Sequence, residues 1–199
     1  MRRLVILLTT VLMLLAFATP AAAAPPIKES GSVQQASAFA SSCTQQGGNT
    51  LCTDVFVDAF SFEDQFSDVC VGIFTYTIRA NGQFRPVSEV SGCGPANGFS
   101  VAPDGSSAIL GPTDIQLASC DERGCTDAGV ETVEASWTAT SDPVPYSGKA
   151  TYKEGNCTFR QAWTGIRAEG TSAISIGDAS YAGDGFMARE EYTVSERCR

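Results

Sequence analysis

Carboxylates and cysteines dominate the reactive side chains of this chain, with 22 Asp and Glu, eight Cys and no His. Without an imidazole there is no Ser-His-Asp or Cys-His relay and no histidine-held metal. No phosphate-binding glycine loop stands between a strand and a helix, so a nucleotide-binding fold is not indicated. Paired carboxylates leave one enzymatic route open. A glycoside hydrolase needs two acids about 5 to 9.5 Å apart across a sugar cleft. Strand periodicity could place Asp54 and Asp58 on one face, or Glu190 beside an acid on a neighbouring strand. The acids are spread from Asp54 to Glu190-Glu191, however, and that spread is the pattern of a solvated surface. No residue is therefore assigned a catalytic role, and no cofactor is expected.

The cysteines are Cys43, Cys52, Cys70, Cys93, Cys120, Cys125, Cys157 and Cys198. A thiolate metal site favours close pairs with two to four intervening residues. The closest pair here, Cys120 and Cys125, sits at the edge of that range and no histidine completes a set, so no metal is expected. An even number in an exported chain reads as disulfides. Cys120 and Cys125 flank Asp-Glu-Arg-Gly, and Cys43 and Cys52 flank a Gly-Gly-Asn turn, so both read as stapled turns between strands. Elimination pairs Cys70 with Cys93 and Cys157 with Cys198. Stapled tips such as Asp121-Glu122-Arg123 are rigid, and rigidity lowers the ordering cost of a protein contact; the same staples also simply stabilise hairpins.

Three aromatics could hold a ligand. A two-residue turn at Gly155-Asn156 sets Tyr152 opposite Phe159 and Thr151 opposite Arg160, with Gly148 opposite Trp163. Tyr152, Phe159 and Trp163 then share a face. Flat rings on a sheet can hold sugars or partner chains, although large aromatics in such domains are more often core. Two weaker signals complete the search. The stretch from Gly177-Asp178 to Asp184-Gly185 could be a calcium loop but reads better as an exposed turn. Asn156-Cys157-Thr158 has the form of a glycosylation sequon.

The elements that would carry these residues are strands. Glu131 to Thr140 alternates, with Val133, Ala135, Trp137 and Ala139 on one face and polar residues on the other. Further strands are expected over 52–60, 69–79, 84–90, 99–102, 108–117, 149–153, 157–166, 172–176 and 186–194, separated by Gly, Pro, Asn and Asp clusters. No stretch after the N-terminal segment carries a helical period with caps. The fold class expected is all-β, an antiparallel β-sandwich or partly closed barrel of nine or ten short strands held by disulfides.

One hairpin poses a register problem. A three-residue loop with Gly82 as bulge sets Ile78 against Phe84 and Tyr76 against Pro86, which aligns the apolar faces but leaves Cys70 and Cys93 one residue out of step. A compensating bulge near Gly72 or Gly92 is then required for the 70–93 bridge. A short echo also links Tyr76-Thr-Ile-Arg-Ala-Asn-Gly82 to Trp163-Thr-Gly-Ile-Arg-Ala-Glu-Gly170, with chance similarity between amphipathic strands the simpler account.

Arg2 and Arg3, an apolar run from Leu4 to Phe17 and the small residues Ala21 to Ala24 read as a secretory signal peptide over residues 1–24. Residues 25–42, rich in Pro, Ser, Gln and Ala, read as a flexible lead-in. Residues 43–199 are expected to form a single disulfide-rich β domain. The whole chain carries a formal charge of −9, and loss of Arg2 and Arg3 would make it more negative, so nucleic acid is a poor partner. No membrane-spanning segment is expected once the signal is removed. These features point to a secreted, monomeric binding or structural module of the cell exterior, with a polysaccharide or an extracellular protein as partner. A loop-acting interaction or inhibitor protein is the alternative, and a carboxylate-dependent glycoside hydrolase the second.

Overall fold

The computed structural model describes residues 27–62, 66–121 and 124–198. The segment read as a signal peptide lies outside the described residues, as do Glu122 and Arg123 of the 120–125 tip. Ten strands are present: β1 Ile27–Gln46, β2 Asn49–Phe62, β3 Phe66–Ile78, β4 Phe84–Pro95, β5 Ser100–Val101, β6 Ser107–Asp121, β7 Gly124–Ala139, β8 Val144–Glu154, β9 Cys157–Ile176 and β10 Ala179–Cys198. They form one antiparallel sheet in the order β10-β1-β2-β3-β4-β6-β7-β9-β8, with β5 on β6, and pairing of β10 with β9 turns the sheet back on itself. The architecture is thus the partly closed barrel. Its seam lies between β4 and β6, where pairing is confined to Val90 with Ser119 and Ser91 with Ala118.

Several strands are much longer than expected. The segments 157–166 and 172–176 merge into β9, whose 20 residues pair with β10 without interruption. Glycine in a strand weakens it without breaking it, and the Gly165 and Gly170 gaps are filled by neighbours. Residues 27–42, read as a flexible lead-in, instead belong to β1. Gln34, Ala36, Ala38 and Ala40 are buried and alternate with the outward-facing Gln35, Ser37, Phe39 and Ser41. Alanines carry little apolar signal, yet they suit an inner wall that must leave room for a large side chain opposite.

That side chain is Trp137, 1 % exposed. Its indole Nε1–H donates to the Ser37 carbonyl at 2.9 Å, reaching from β7 across to β1. Gly185 lies beneath it, and a Cβ built there would stand 2.7 Å from Trp137 Cδ1. Phe99 meets the indole edge-on at 6.4 Å. Val55, Val57, Val69, Val71, Leu110, Ile115, Val133 and Ile174 complete the core. Truncating a tryptophan so placed typically costs about 3–5 kcal/mol. The short β5 closes this part of the barrel, where Val101 N–H donates to the buried Gln34 Oε1 at 2.7 Å. Asp104 shapes the turn that follows, accepting from Ser106 N–H at 3.0 Å and Ser106 Oγ at 2.7 Å, and these bonds hold its carboxyl below the usual range.

The four disulfides join Cys43 to Cys52, Cys70 to Cys93, Cys120 to Cys125 and Cys157 to Cys198. Each links residues directly opposite each other in the register. The β3–β4 hairpin resolves its conflict with a bulge, but at another place. Ile78 faces Phe84 and Tyr76 faces Pro86, the register shifts between Thr75 and Tyr76, and Cys70 meets Cys93. The extra residue is therefore Val87, not Gly72 or Gly92. Pro86 has no N–H to give the ladder, so a bulge beside it sacrifices less pairing than one in the core. The sequence echo is not a structural repeat: 79–82 form a turn, whereas 166–170 run straight through β9.

Below the closed part the barrel continues as a four-stranded flap. Residues 133–139 of β7 pair with 170–176 of β9, and 144–154 of β8 pair with 157–167 on the same edge. Together β7 and β8 make one edge, interrupted at 140–143 where Pro143 cannot donate. β2 reaches only as far as Val33 on β1. Beyond it, β8, β9, β10 and the start of β1 stand without an opposing wall.

Candidate functional site

The flap carries the aromatics singled out in the sequence. Tyr152 and Phe159 stack with centroids 5.0 Å apart and planes 10° from parallel, in the register set by the Gly155-Asn156 turn. Trp163 lies directly between Gly148 on β8 and Tyr192 on β10. None of the three belongs to the buried core. Tyr152 is 49 % exposed, and Phe159 and Trp163 are half-buried. The core reading of these aromatics is corrected: the alternation that buries Ala168 and Met187 inside the barrel turns Trp163 and Phe159 to the outside.

Two cross-strand pairs give this outer face its shape. Tyr146 faces Gly165, and Gly148 faces Trp163. A Cβ at Gly148 would overlap the Trp163 ring, with Nε1 at 2.8 Å, and a Cβ at Gly165 would stand 2.6 Å from Tyr146 Cζ. Each ring therefore lies flat over the glycine of the other strand. The sequence signal is the repeated aromatic-x-Gly of Tyr146-Ser-Gly148 and Trp163-Thr-Gly165, which two antiparallel strands interlock. Tyr146 was missed because its own strand was read as starting at Lys149. The pattern continues to β10 and β2, where Tyr192 stacks with Phe62 at 5.6 Å and Phe62 with Phe66 at 5.9 Å.

Polar groups flank Tyr146. Tyr146 O–H donates to Glu190 Oε2 at 3.1 Å, and the Arg167 guanidinium sits 5.8 Å from the Tyr146 centroid. Burial and the neighbouring Glu190 carboxylate raise the Tyr146 phenol above its ordinary value, and Arg167 opposes them more weakly.

No acid stands directly opposite Glu190 on either neighbouring strand. Glu190 faces Gly165 and Val33 in the register and is engaged by Tyr146. Asp54 and Asp58 share the outer face of β2 with Phe56 between them, and Asp54 accepts from Ser41 Oγ at 2.7 Å. Asp178 lies in the tight turn after β9, whereas Asp184 is in the body of β10, so 177–185 do not wrap a cation. Cys157, Glu196 and Cys198 come close enough to suggest a metal, but the two thiols are spent in a disulfide. Asn156 is exposed in the β8–β9 turn. The side chains of the 121–123 tip lie outside the description.

No family model matches the chain and no curated protein matches it. Two solved structures do, crystal structures of CghA with Sch210972 and of CghA, each 7 % identical, covering 80 % of this chain and 88 % of theirs at a TM-score of 0.11. At that score the likeness carries no argument about fold or function.

Proposed function

We propose that the protein is a non-catalytic binding module of the cell exterior that holds a polysaccharide on the outer aromatic face of its flap. The observation that carries this reading is the interlocked pair Tyr146 over Gly165 and Trp163 over Gly148. Half-buried rings lying flat on a sheet offer their π-faces outward, and such faces stack on the apolar face of a sugar ring. The surface is open and spans several strands, which suits a chain running across it better than a small enclosed molecule. Arg167 and Glu190 stand beside the rings as polar partners for hydroxyls. The four disulfides suit an oxidising, extracellular setting, and export through the N-terminal segment is part of the same reading.

The test is retention of the oxidised protein on insoluble polysaccharides and cell-wall material, with a reduced sample as control. Trp163→Ala is expected to weaken retention by roughly ten-fold, the loss of one stacked ring, while the near-UV signal of buried Trp137 stays unchanged. Retention of Trp163→Ala and Tyr146→Ala at the level of the parent protein would refute the platform.

A further inference from the structure

The flap sorts its charges by face. Strand alternation and the register place Lys28, Lys149, Lys153, Arg160, Arg189 and Arg197 on the face that continues the barrel interior. Among the described residues of these strands, Arg167 is the one base on the outer face. The acids do the reverse: Glu29, Glu154, Glu190 and Glu196 lie outside, and Glu191 alone lies inside. A chain with a formal charge of −9 thus collects most of its described cations on one concave surface.

Two adjoining hollows follow that surface. One, of about 570 Å³, is lined by Lys28, Lys149 and Arg160 against a single acid, Glu29, with Thr151, Thr193 and Ser195 among its other lining residues. The other, of about 670 Å³, shares Ser30, Ala162 and Thr193 with it, reaches Arg189 and Glu191, and also has Trp163 and Tyr192 in its lining. In the register Lys28, Ser195, Arg160 and Thr151 form one row across β1, β10, β9 and β8, and Ser30, Thr193, Ala162 and Lys149 form the next. In the first row cations and hydroxyls therefore alternate at strand spacing, about 4.8 Å, and the second row adds two hydroxyls and Lys149. The inner wall here has no apolar side chain larger than Ala162 in these two rows, so it is not a continuation of the core.

We infer that this inner face is a second binding site, for an acidic saccharide. Its sulfate or carboxylate groups sit on Lys28, Lys149 and Arg160, and its hydroxyls on Ser30, Thr151, Thr193 and Ser195. Acids elsewhere on the molecule do not cancel the attraction, because at physiological salt exposed charges beyond about 8 Å are largely screened while a bound oxyanion touches the cations directly. The hollow that holds Lys28, Lys149 and Arg160 has no platform aromatic in its lining, and strand alternation puts these cations on the face opposite Trp163, so it can be tested apart from the platform.

Titration with dextran sulfate, with uncharged dextran and with inorganic sulfate tests the inference. Dextran sulfate is expected to bind, more weakly as salt rises, and uncharged dextran not to bind at this face. Lys149→Gln combined with Arg160→Gln should weaken dextran sulfate roughly ten-fold or more, and Trp163→Ala should leave it unchanged. Competition by inorganic sulfate would show that the isolated anion is enough; its absence, with dextran sulfate still bound, would show that the saccharide chain contributes. Unaltered affinity in the double variant, provided its near-UV spectrum matches the parent's, or no binding of dextran sulfate or sulfate, overturns the inference.

Discussion

Gly170→Ala is expected to unfasten the barrel where β7 joins β9. A methyl at this position would overlap the Thr138 carbonyl oxygen and stand 2.7 Å from its carbonyl carbon and 2.9 Å from Ala139 Cα. All three are backbone atoms, so no side chain can turn away to relieve them. β7 must instead shift from β9 by on the order of 1 Å, at the cost of about 1–3 kcal/mol for overpacking and about 1 kcal/mol for a lost ladder bond. Lower entropy of the unfolded chain returns about 0.4–1 kcal/mol. The net is roughly 1–3.6 kcal/mol, which in a chain of this length lowers the melting temperature by roughly 2–14 °C. Thermal unfolding followed by near-UV circular dichroism, with the disulfides intact, measures it. Gly148→Ala is the control, because its methyl meets the Trp163 ring, a side chain free to swing outward. That variant should melt within about 2 °C of the parent, since surface changes usually cost under about 0.5 kcal/mol. It should also make tryptophan fluorescence more accessible to acrylamide, and with Trp137 buried the change reports Trp163. Equal melting of Gly170→Ala and the parent, or equal losses in both variants, would refute the reasoning.

Three further outcomes follow from the same geometry. Replacing Cys157 and Cys198 by Ser should cost about 4 kcal/mol and replacing Cys120 and Cys125 about 2 kcal/mol in the chain-entropy account, because the bridges close separations of 41 and 5 residues; urea unfolding of the two variants gives the difference. Gln34→Leu should lose roughly 1–3 kcal/mol by leaving the Val101 N–H without its buried acceptor, read as a lower urea midpoint with an unchanged slope. The raised Tyr146 phenol predicts a stability term that is complete below the unfolded value near 10 and is lost as pH climbs through the higher folded value; in an ultraviolet phenolate titration the difference between the parent and Tyr146→Phe is expected to develop above pH 10, and a difference complete below it would refute the raised value.

Local pattern sufficed where physics is local. Cysteine spacing, the alternation from Glu131 to Thr140 and the turn at Gly155-Asn156 specified β-structure, the Cys43–Cys52 and Cys120–Cys125 bridges and the register of Tyr152 on Phe159, because each depends on period-two geometry or on a short turn; the Cys70–Cys93 and Cys157–Cys198 bridges followed only by elimination. The bulge was legible as a need, since the Cys70–Cys93 bridge and the Ile78–Phe84 contact demand different registers, but its location at Val87 was not. β1 went unread because alanine and glutamine look like linker until Trp137 arrives from a hundred residues away to fill the space they leave.

The candidate sites divide the same way. Trp163, Tyr152 and Phe159 could be placed on one face from the sequence, but strand alternation alone does not say whether a face looks into a core or out of it. Closure of the barrel through β9 and β10 decided that, by putting Ala168 and Met187 inside and therefore Trp163 outside. Net charge is likewise a property of composition, readable at once as acidic. The collection of Lys28, Lys149 and Arg160 on one concave wall is a property of register among β1, β8, β9 and β10, which brings together residues more than a hundred positions apart, and only the tertiary structure supplies it.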